Sequence, residues 1–403
     1  MRVAFVLADL SRRSEAAGVV VAAASGLLAR GHEVAVFTAG FPAPEWPEAG
    51  PLTAWIRPIP ALEEDAPAAA LRAAGAAWRD ALRSFDVVHP YGRAALHATQ
   101  GSARPRLWYC PAFRDSLPVE ATHRELLAAQ ASGLVEAGHP ALEALERRRE
   151  RERGWSLRRL SHVRALAAER HAAAAVEGVL VGSGYAARCF RHAFGRLAEV
   201  LEPGVPEAPP PAPLPAPARR GIAVPASSDP DQNLYGVLQV AAELQRRGAP
   251  ERFEVFGPGT DEPRIQRWTA ERGLQAQVAL HGALAERQAR ELLAASRSCL
   301  CLPWCEPSGL PALQSLLLAT PVLASDHGAP AEIVTRTGGG ALVDPFRPTA
   351  AADALQAFGS DEAALRALGE TGRQAARALF GMEEYLDRLE RALRRTSGRE
   401  PVH

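Results

Sequence analysis

Between residues 203 and 217 the chain reads PGVPEAPPPAPLPAP. Proline has no backbone N–H and its ring fixes φ, so a stretch this dense enters neither a sheet ladder nor a helix interior. It is an extended, stiff connector, and each half of the chain must build its own core. Before it, the strand candidates Val3–Leu7, Glu33–Thr38, Phe85–His89, Arg106–Tyr109 and Gly178–Val181 alternate with helical stretches. The first helix is expected from about Ala17 to Arg30, capped by Gly31. After the connector, Ile222–Val224, Phe253–Phe256, Val278–Leu280, Cys299–Leu302 and Pro321–Ala324 repeat the alternation. Short apolar strands alternating with helices build parallel, doubly wound sheets. The expected organisation is an α/β domain over residues 1–202, a linker over 203–220 and a second α/β domain over 221–380. A terminal segment, 381–403, contains an amphipathic helix from Met382 to Arg395.

Charge and cysteine use narrow the function classes. The chain has 403 residues, enough for two domains of ordinary size, and a net charge of zero. Nothing in that balance argues for nucleic acid. No lysine occurs, so every basic side chain except histidine is an arginine. Five cysteines (Cys110, Cys189, Cys299, Cys301 and Cys305) form no disulfide framework and point to a reducing, cytoplasmic setting. Cys299, Cys301 and Cys305 lack a second ligand pair for a metal. Met1–Leu7 is too short for a signal h-region, and the apolar run near Ala16–Ala29 is shorter than a membrane span. The Arg/Glu-rich stretch Glu146–Arg153 reads as a solvated helix face laced with i,i+4 pairs. Its alternative is peripheral contact with an anionic lipid surface or an acidic acceptor.

The stretch most suggestive of chemistry is Cys305-Glu306-Pro307-Ser308-Gly309-Leu310-Pro311-Ala312-Leu313-Gln314. Pro303 and Pro307 end the buried strand Cys299–Leu302, and Gly309 opens an apolar helix from Leu310 to Ala319. A helix N-terminus presents unpaired N–H groups and partial positive charge, which suits a phosphate. An acidic residue just before it can hydrogen-bond sugar hydroxyls beside that phosphate. The bland reading of Glu306 is a carboxylate complementing the helix dipole.

This stretch resembles the E-x7-E donor motif of the retaining GT-B glycosyltransferases of family 4, the glycosyl transferases group 1. Glu306 falls on the first Glu and Gln314 on the second. Further pieces follow in the family's order: Arg30-Gly31-His32-Glu33-Val34, Phe85-Asp86-Val87-Val88-His89, Val255-Phe256-Gly257-Pro258-Gly259, Leu280-His281-Gly282, Ala331-Glu332-Ile333-Val334 and Gly340–Pro345. The resemblance implies a GT-B fold, two Rossmann-like doubly wound domains facing a cleft, with a C-terminal helix crossing back to the first domain. It implies transfer of a sugar from a nucleotide-diphosphate sugar with retention, and neither cofactor nor metal.

In the family an Arg and a Lys, five residues apart after the first strand of the second domain, face the diphosphate. Here those positions hold Ser227 and Gln232. The amides of Ser308, Gly309 and Leu310 are the expected phosphate donors, Gln314 the ribose contact, and Gly257 lies in the base-binding region. The family's glycine-rich turn after the first strand is replaced by Glu15-Ala16-Ala17-Gly18. Its active-site histidine position falls near Trp108–Cys110, at Cys110, leaving His89 or His123 to fill that role. Arg12 and Arg13 are the candidate substitute cations.

Two readings follow. In one the chain is a glycosyltransferase with a rewired phosphate site, acting on a sugar, lipid or protein acceptor. In the other it is a catalytically inactive GT-B subunit that supports a partner glycosyltransferase. A GT-B sugar-nucleotide epimerase is a third class, for which no acid/base carboxylates are apparent.

Overall fold

The computed structural model describes residues 1–10, 15–40, 47–64, 66–111, 157–205 and 219–399. They divide into two compact units. The first holds residues before 206 together with 380–399, and the second holds 219–379.

The first unit is built on seven parallel strands in the order β3-β2-β1-β4-β5-β6-β7. They are β1 (Arg2–Leu7), β2 (Glu33–Thr38), β3 (Ile56–Pro58), β4 (Val87–Tyr91), β5 (Leu107–Cys110), β6 (Gly178–Val181) and β7 (Glu199–Val200). A sheet covered on both faces needs apolar residues at every position, and β1 reads that way. Val3, Phe5 and Leu7 join one core cluster, while Ala4 and Val6 join the cluster on the opposite face. The helices are α1 (Glu15–Ala29), α2 (Ala68–Ala76), α3 (Gly92–Ala98), α4 (Leu157–Ala174) and α5 (Gly184–Phe194).

The last helix also belongs to this unit. It spans Met382–Thr396 and buries Leu386, Leu389 and Leu393 in the cluster that holds Val20 and Leu27 of α1. Gly26 makes room for it, since a Cβ there would lie 2.4 Å from Leu386 Cδ1. Arg30 pairs with Glu383 at 2.5 Å and Asp387 at 2.6 Å, and Arg388 pairs with Glu202.

The second unit has six parallel strands in the order β10-β9-β8-β11-β12-β13. They are β8 (Ile222–Pro225), β9 (Phe253–Phe256), β10 (Val278–Leu280), β11 (Ser298–Cys301), β12 (Val322–Ser325) and β13 (Gly340–Val343). Counted from β8 this is the 3-2-1-4-5-6 order of a dinucleotide-binding sheet. Its helices are α6 (Leu234–Arg246), α7 (Pro263–Glu271), α8 (Glu286–Ala295), α9 (Leu310–Leu317), α10 (Gly328–Thr337), α11 (Pro348–Phe358) and α12 (Glu362–Phe380), which makes the helix at Met382–Thr396 α13. Strand order reverses between β8 and β11, so the loops leaving those strands diverge and open a crevice at their C-terminal ends.

Three departures from the sequence expectation have physical causes. Strand β13 lies in a glycine-rich segment with little β propensity. Gly340 is needed because a Cβ there would sit 2.0 Å from the Val322 carbonyl oxygen of the neighbouring strand. Helix α9 stops at Leu317, and Ala319 takes a left-handed φ of 54°. Strand β4 continues through His89 and Pro90 to Tyr91, although proline usually marks a strand's end.

Candidate active site

The crevice in the second unit is walled by the segment after β8 and the turn after β11. The first is a 3-10 turn, Pro230–Gln232, followed by Asn233 in a left-handed conformation, φ 53°. Asn233 is buried and donates Nδ2–H to the Leu302 carbonyl at 3.0 Å and the Pro345 carbonyl at 3.1 Å. The Trp304 amide donates to the Asp231 carbonyl at 2.8 Å. One buried side chain and one backbone bond thus pin the ends of β11 and β13 to the start of α6.

That pinning brings Gln232 to Glu306. Glu306 is 8% exposed. Its Oε1 accepts from the Ser308 amide at 3.0 Å, the Ser308 hydroxyl at 2.8 Å and the Gly309 amide at 3.3 Å. Its Oε2 accepts from Gln232 Nε2 at 3.1 Å. Among the described residues no cation pairs with this carboxylate, so N–H and O–H dipoles alone meet its charge. Burying an unpaired carboxylate is costly unless such donors surround it. The turn that supplies them depends on Gly309, at φ +66°, where a Cβ would lie 2.4 Å from Ile333 Cδ1. Gly328 abuts the same turn, and the Ala329 amide donates to the Glu306 carbonyl at 2.8 Å.

The other candidates fall around this centre. The Leu310 amide donates to Ser308 Oγ at 3.3 Å. Gln314, half-buried on α9, makes no side-chain hydrogen bond to another described residue. Ser227 Oγ accepts from the Asp229 amide at 3.2 Å and lies 3.3 Å from Asp229 Oδ2. Gly257, at φ +129°, lets the segment after β8 pass close by, since a Cβ there would meet the Ala226 carbonyl at 1.8 Å. Arg264 of α7, not singled out in the sequence, reaches the Ser228 carbonyl at 3.4 Å while paired with Glu262 at 2.6 Å.

In the first unit His89 proves to be a core residue. It is 1% exposed, sits in mid-strand opposite Phe5, donates Nδ1–H to the Leu107 carbonyl at 2.5 Å, and packs edge-on to Phe5. Burial lowers its pKa to about 4, against a weaker opposing effect of the Leu107 carbonyl. This corrects the expectation of a catalytic histidine at a strand end. Cys110 is buried at the end of β5. Burial pushes the Cys299 thiol up to about 12 and the Cys301 thiol well up, so neither suits a nucleophile. No group of three or more His, Cys, Asp or Glu residues is placed to hold a metal among the described residues. Arg12, Arg13, His123 and the Glu146–Arg153 stretch lie outside the described residues.

Comparison with known proteins bears on the family of the second unit and on the fold. Residues 219–375, nearly the whole second unit, match the family described as Glycosyl transferases group 1. The second unit is therefore a domain of that family, and the two parallel sheets form the GT-B fold. Among curated proteins, the alpha-D-kanosaminyltransferase of Streptomyces kanamyceticus is 23% identical over 152 residues. The match takes in 38% of this chain and 39% of that protein. Among solved structures, sucrose-phosphate synthase from Thermosynechococcus elongatus superposes with a TM-score of 0.72 at 19% identity, covering 99% of this chain and 100% of the other. Anabaena HepE in complex with UDP-glucose gives 0.67 at 13% identity, covering 98% and 99%. No described helix is long and apolar enough to cross a membrane.

Proposed function

We propose that this chain is a retaining glycosyltransferase that takes its sugar from a nucleoside diphosphate donor bound by the second unit. The observation that carries the proposal is the buried Glu306 carboxylate, held by the amides of Ser308, Gly309 and Gln232 where the strand order reverses. Its Oε2 takes a single protein donor among the described residues, so lone pairs remain to accept from sugar hydroxyls. Such contacts orient the sugar as its C1–O bond to the β-phosphate breaks. The bonding pair stays on the phosphate oxygen, an acceptor hydroxyl bonds to C1 on the same face, and the hydroxyl proton passes to the departing phosphate. Gln314 on α9 is the candidate contact for the ribose. The UDP-glucose held by a protein of the same fold supports a nucleotide sugar as donor.

The phosphate half of the site is unusual. Ser308 and Gly309 spend their amides on Glu306, and Gln232 spends its side-chain amide there as well. Ser227 is engaged with Asp229. None of these brings a formal positive charge. That observation favours the second reading, a catalytically inactive GT-B subunit that supports a partner glycosyltransferase.

Calorimetric titration with UDP, GDP, ADP and TDP, without metal and then with magnesium, tests the proposal. Micromolar binding of one of them is expected. If none binds at millimolar concentration, the donor role fails and the partner reading takes its place.

A further inference from the structure

At the edge of the second sheet opposite the Glu306 crevice, Arg219, Arg297 and Arg366 line a surface pocket together with Glu362. Arg219 lies just before β8 and Arg297 just before β11, so these neighbouring parallel strands bring both side chains to their N-terminal ends. Arg366 comes from the start of α12. Arg219 is half-buried and has no carboxylate partner among the described residues. Its Nη1 donates to the Ala319 carbonyl at 2.9 Å and its Nη2 to the Leu318 carbonyl at 3.2 Å, at the C-terminal end of α9. Burial lowers its pKa from the ordinary value. Arg297 gives one N–H of Nη2 to Glu251 at 2.7 Å. Its Nε–H is buried without an acceptor, and its Nη1 donors meet none among the described residues. Arg366 is 51% exposed and lies 3.8 Å from Glu362, too far for a hydrogen bond. Two glycines shape the walls. A Cβ at Gly359 would fall 2.9 Å from Arg297 Nη2, and one at Gly369 of α12 would fall 2.4 Å from the Ala319 carbonyl oxygen. Three guanidiniums against the carboxylates of Glu251 and Glu362 leave the pocket positive.

We propose that this pocket binds a phosphoryl group, carried by inorganic phosphate or by a phosphomonoester. A guanidinium presents its N–H groups in a planar fork that matches two phosphate oxygens, and the resulting hydrogen bonds are charge-assisted. Arg297 and Arg366 hold the unmet donors for such contacts, and Arg219 adds charge from the wall formed by the end of α9. A bound phosphate supplies acceptors that the protein itself does not bring to these groups. The empty volume is about 270 Å³, part of it open to solvent, which suits one phosphoryl group with any ester substituent left outside. No bond is made or broken there. The proposal is independent of the donor role, because the pocket and the Glu306 crevice stand at opposite ends of β8 and β11.

The test is calorimetric titration of the full chain with inorganic phosphate and with methyl phosphate, at an ionic strength held constant with sodium chloride. Wild type should bind phosphate with a Kd of about 0.1–1 mM, in keeping with a ligand of so few atoms. Arg366→Gln should weaken binding by about tenfold, the worth of one charge-assisted hydrogen bond, and Arg297→Gln by at least as much. Glu362→Gln removes a carboxylate from the pocket and should tighten binding. Arg83→Gln, which removes an exposed arginine of the first unit, should change nothing. Methyl phosphate binding as well as phosphate assigns the pocket to a phosphomonoester, and methyl phosphate binding at least tenfold more weakly assigns it to free phosphate. Arg366 makes no hydrogen bond to another described residue, so its variant serves if Arg297→Gln does not fold. Unchanged affinity in Arg366→Gln, or no binding of phosphate to wild type at tens of millimolar, overturns the proposal and leaves the donor role standing.

Discussion

Replacing Glu306 by glutamine keeps the shape of the side chain and removes its charge. The new amide cannot accept from Ser308, Gly309 and a sugar hydroxyl together while also facing the Gln232 amide. Transfer activity should fall by about a hundredfold to a thousandfold, in line with the loss of one preorganised polar contact at a reacting centre. Steady-state kinetics read this directly, and a near-normal melting temperature would show that the loss is local. Glu306 was legible in the sequence because the motif around it is contiguous. Its partner was not. Gln232 is 74 positions away and reaches Glu306 only because the strand order reverses between β8 and β11. Read from the sequence, Gln232 is a lysine replaced by something weaker. In the fold it holds the carboxylate. His89 was misread for a related reason, because Pro90 looks like the end of the strand and the register continues past it.

Among the elements, the short turn between β8 and α6 does the most for the site. Asn233 spans two carbonyls just past β11 and β13, 69 and 112 residues later in the chain. Asn233→Ala leaves both carbonyls buried and unpaired and removes a residue tolerant of left-handed backbone. The expected cost is about 2–4 kcal/mol of stability. Chemical denaturation checks it, and nucleotide affinity should fall with it because Gln232 loses its support. A loss of stability below about 0.5 kcal/mol would mean that the turn is held by its backbone bonds alone. The six-stranded sheet was largely foreseen from alternating apolar segments. Its last strand was not, because glycine at Gly340 permits a close approach to β12 that no propensity describes.

At the scale of the molecule, acid should destabilise the first unit. His89 and His97 are both buried, and burial brings each from an ordinary value of 6.5 down to about 4. Arg93 and Arg72 add to the effect at His97. Both rings are neutral when folded. Between pH 6.5 and 4 the unfolded chain takes up protons that the folded chain refuses, so stability is intact above that window and declines as pH falls through it. The loss reaches roughly 3 kcal/mol per ring at its lower end. Melting temperatures across pH 7.5 to 4 should show the decline, and His89→Gln, whose amide can still donate to the Leu107 carbonyl, should make it shallower. A profile unchanged by that substitution would assign the acid sensitivity elsewhere.

Helix α13 carries one more consequence, and it concerns timing. The first unit closes its core with Leu386, Leu389 and Leu393, whereas the rest of its sheet is complete by Val200. On the ribosome those three leucines emerge roughly 190 residues after β7, about 10–40 s later at ordinary rates of synthesis. Throughout that interval the face of α1 around Gly26 and Leu27 has no cover. The second unit is translated inside this gap and can finish folding before the first, so the half that starts the chain is the half that matures last.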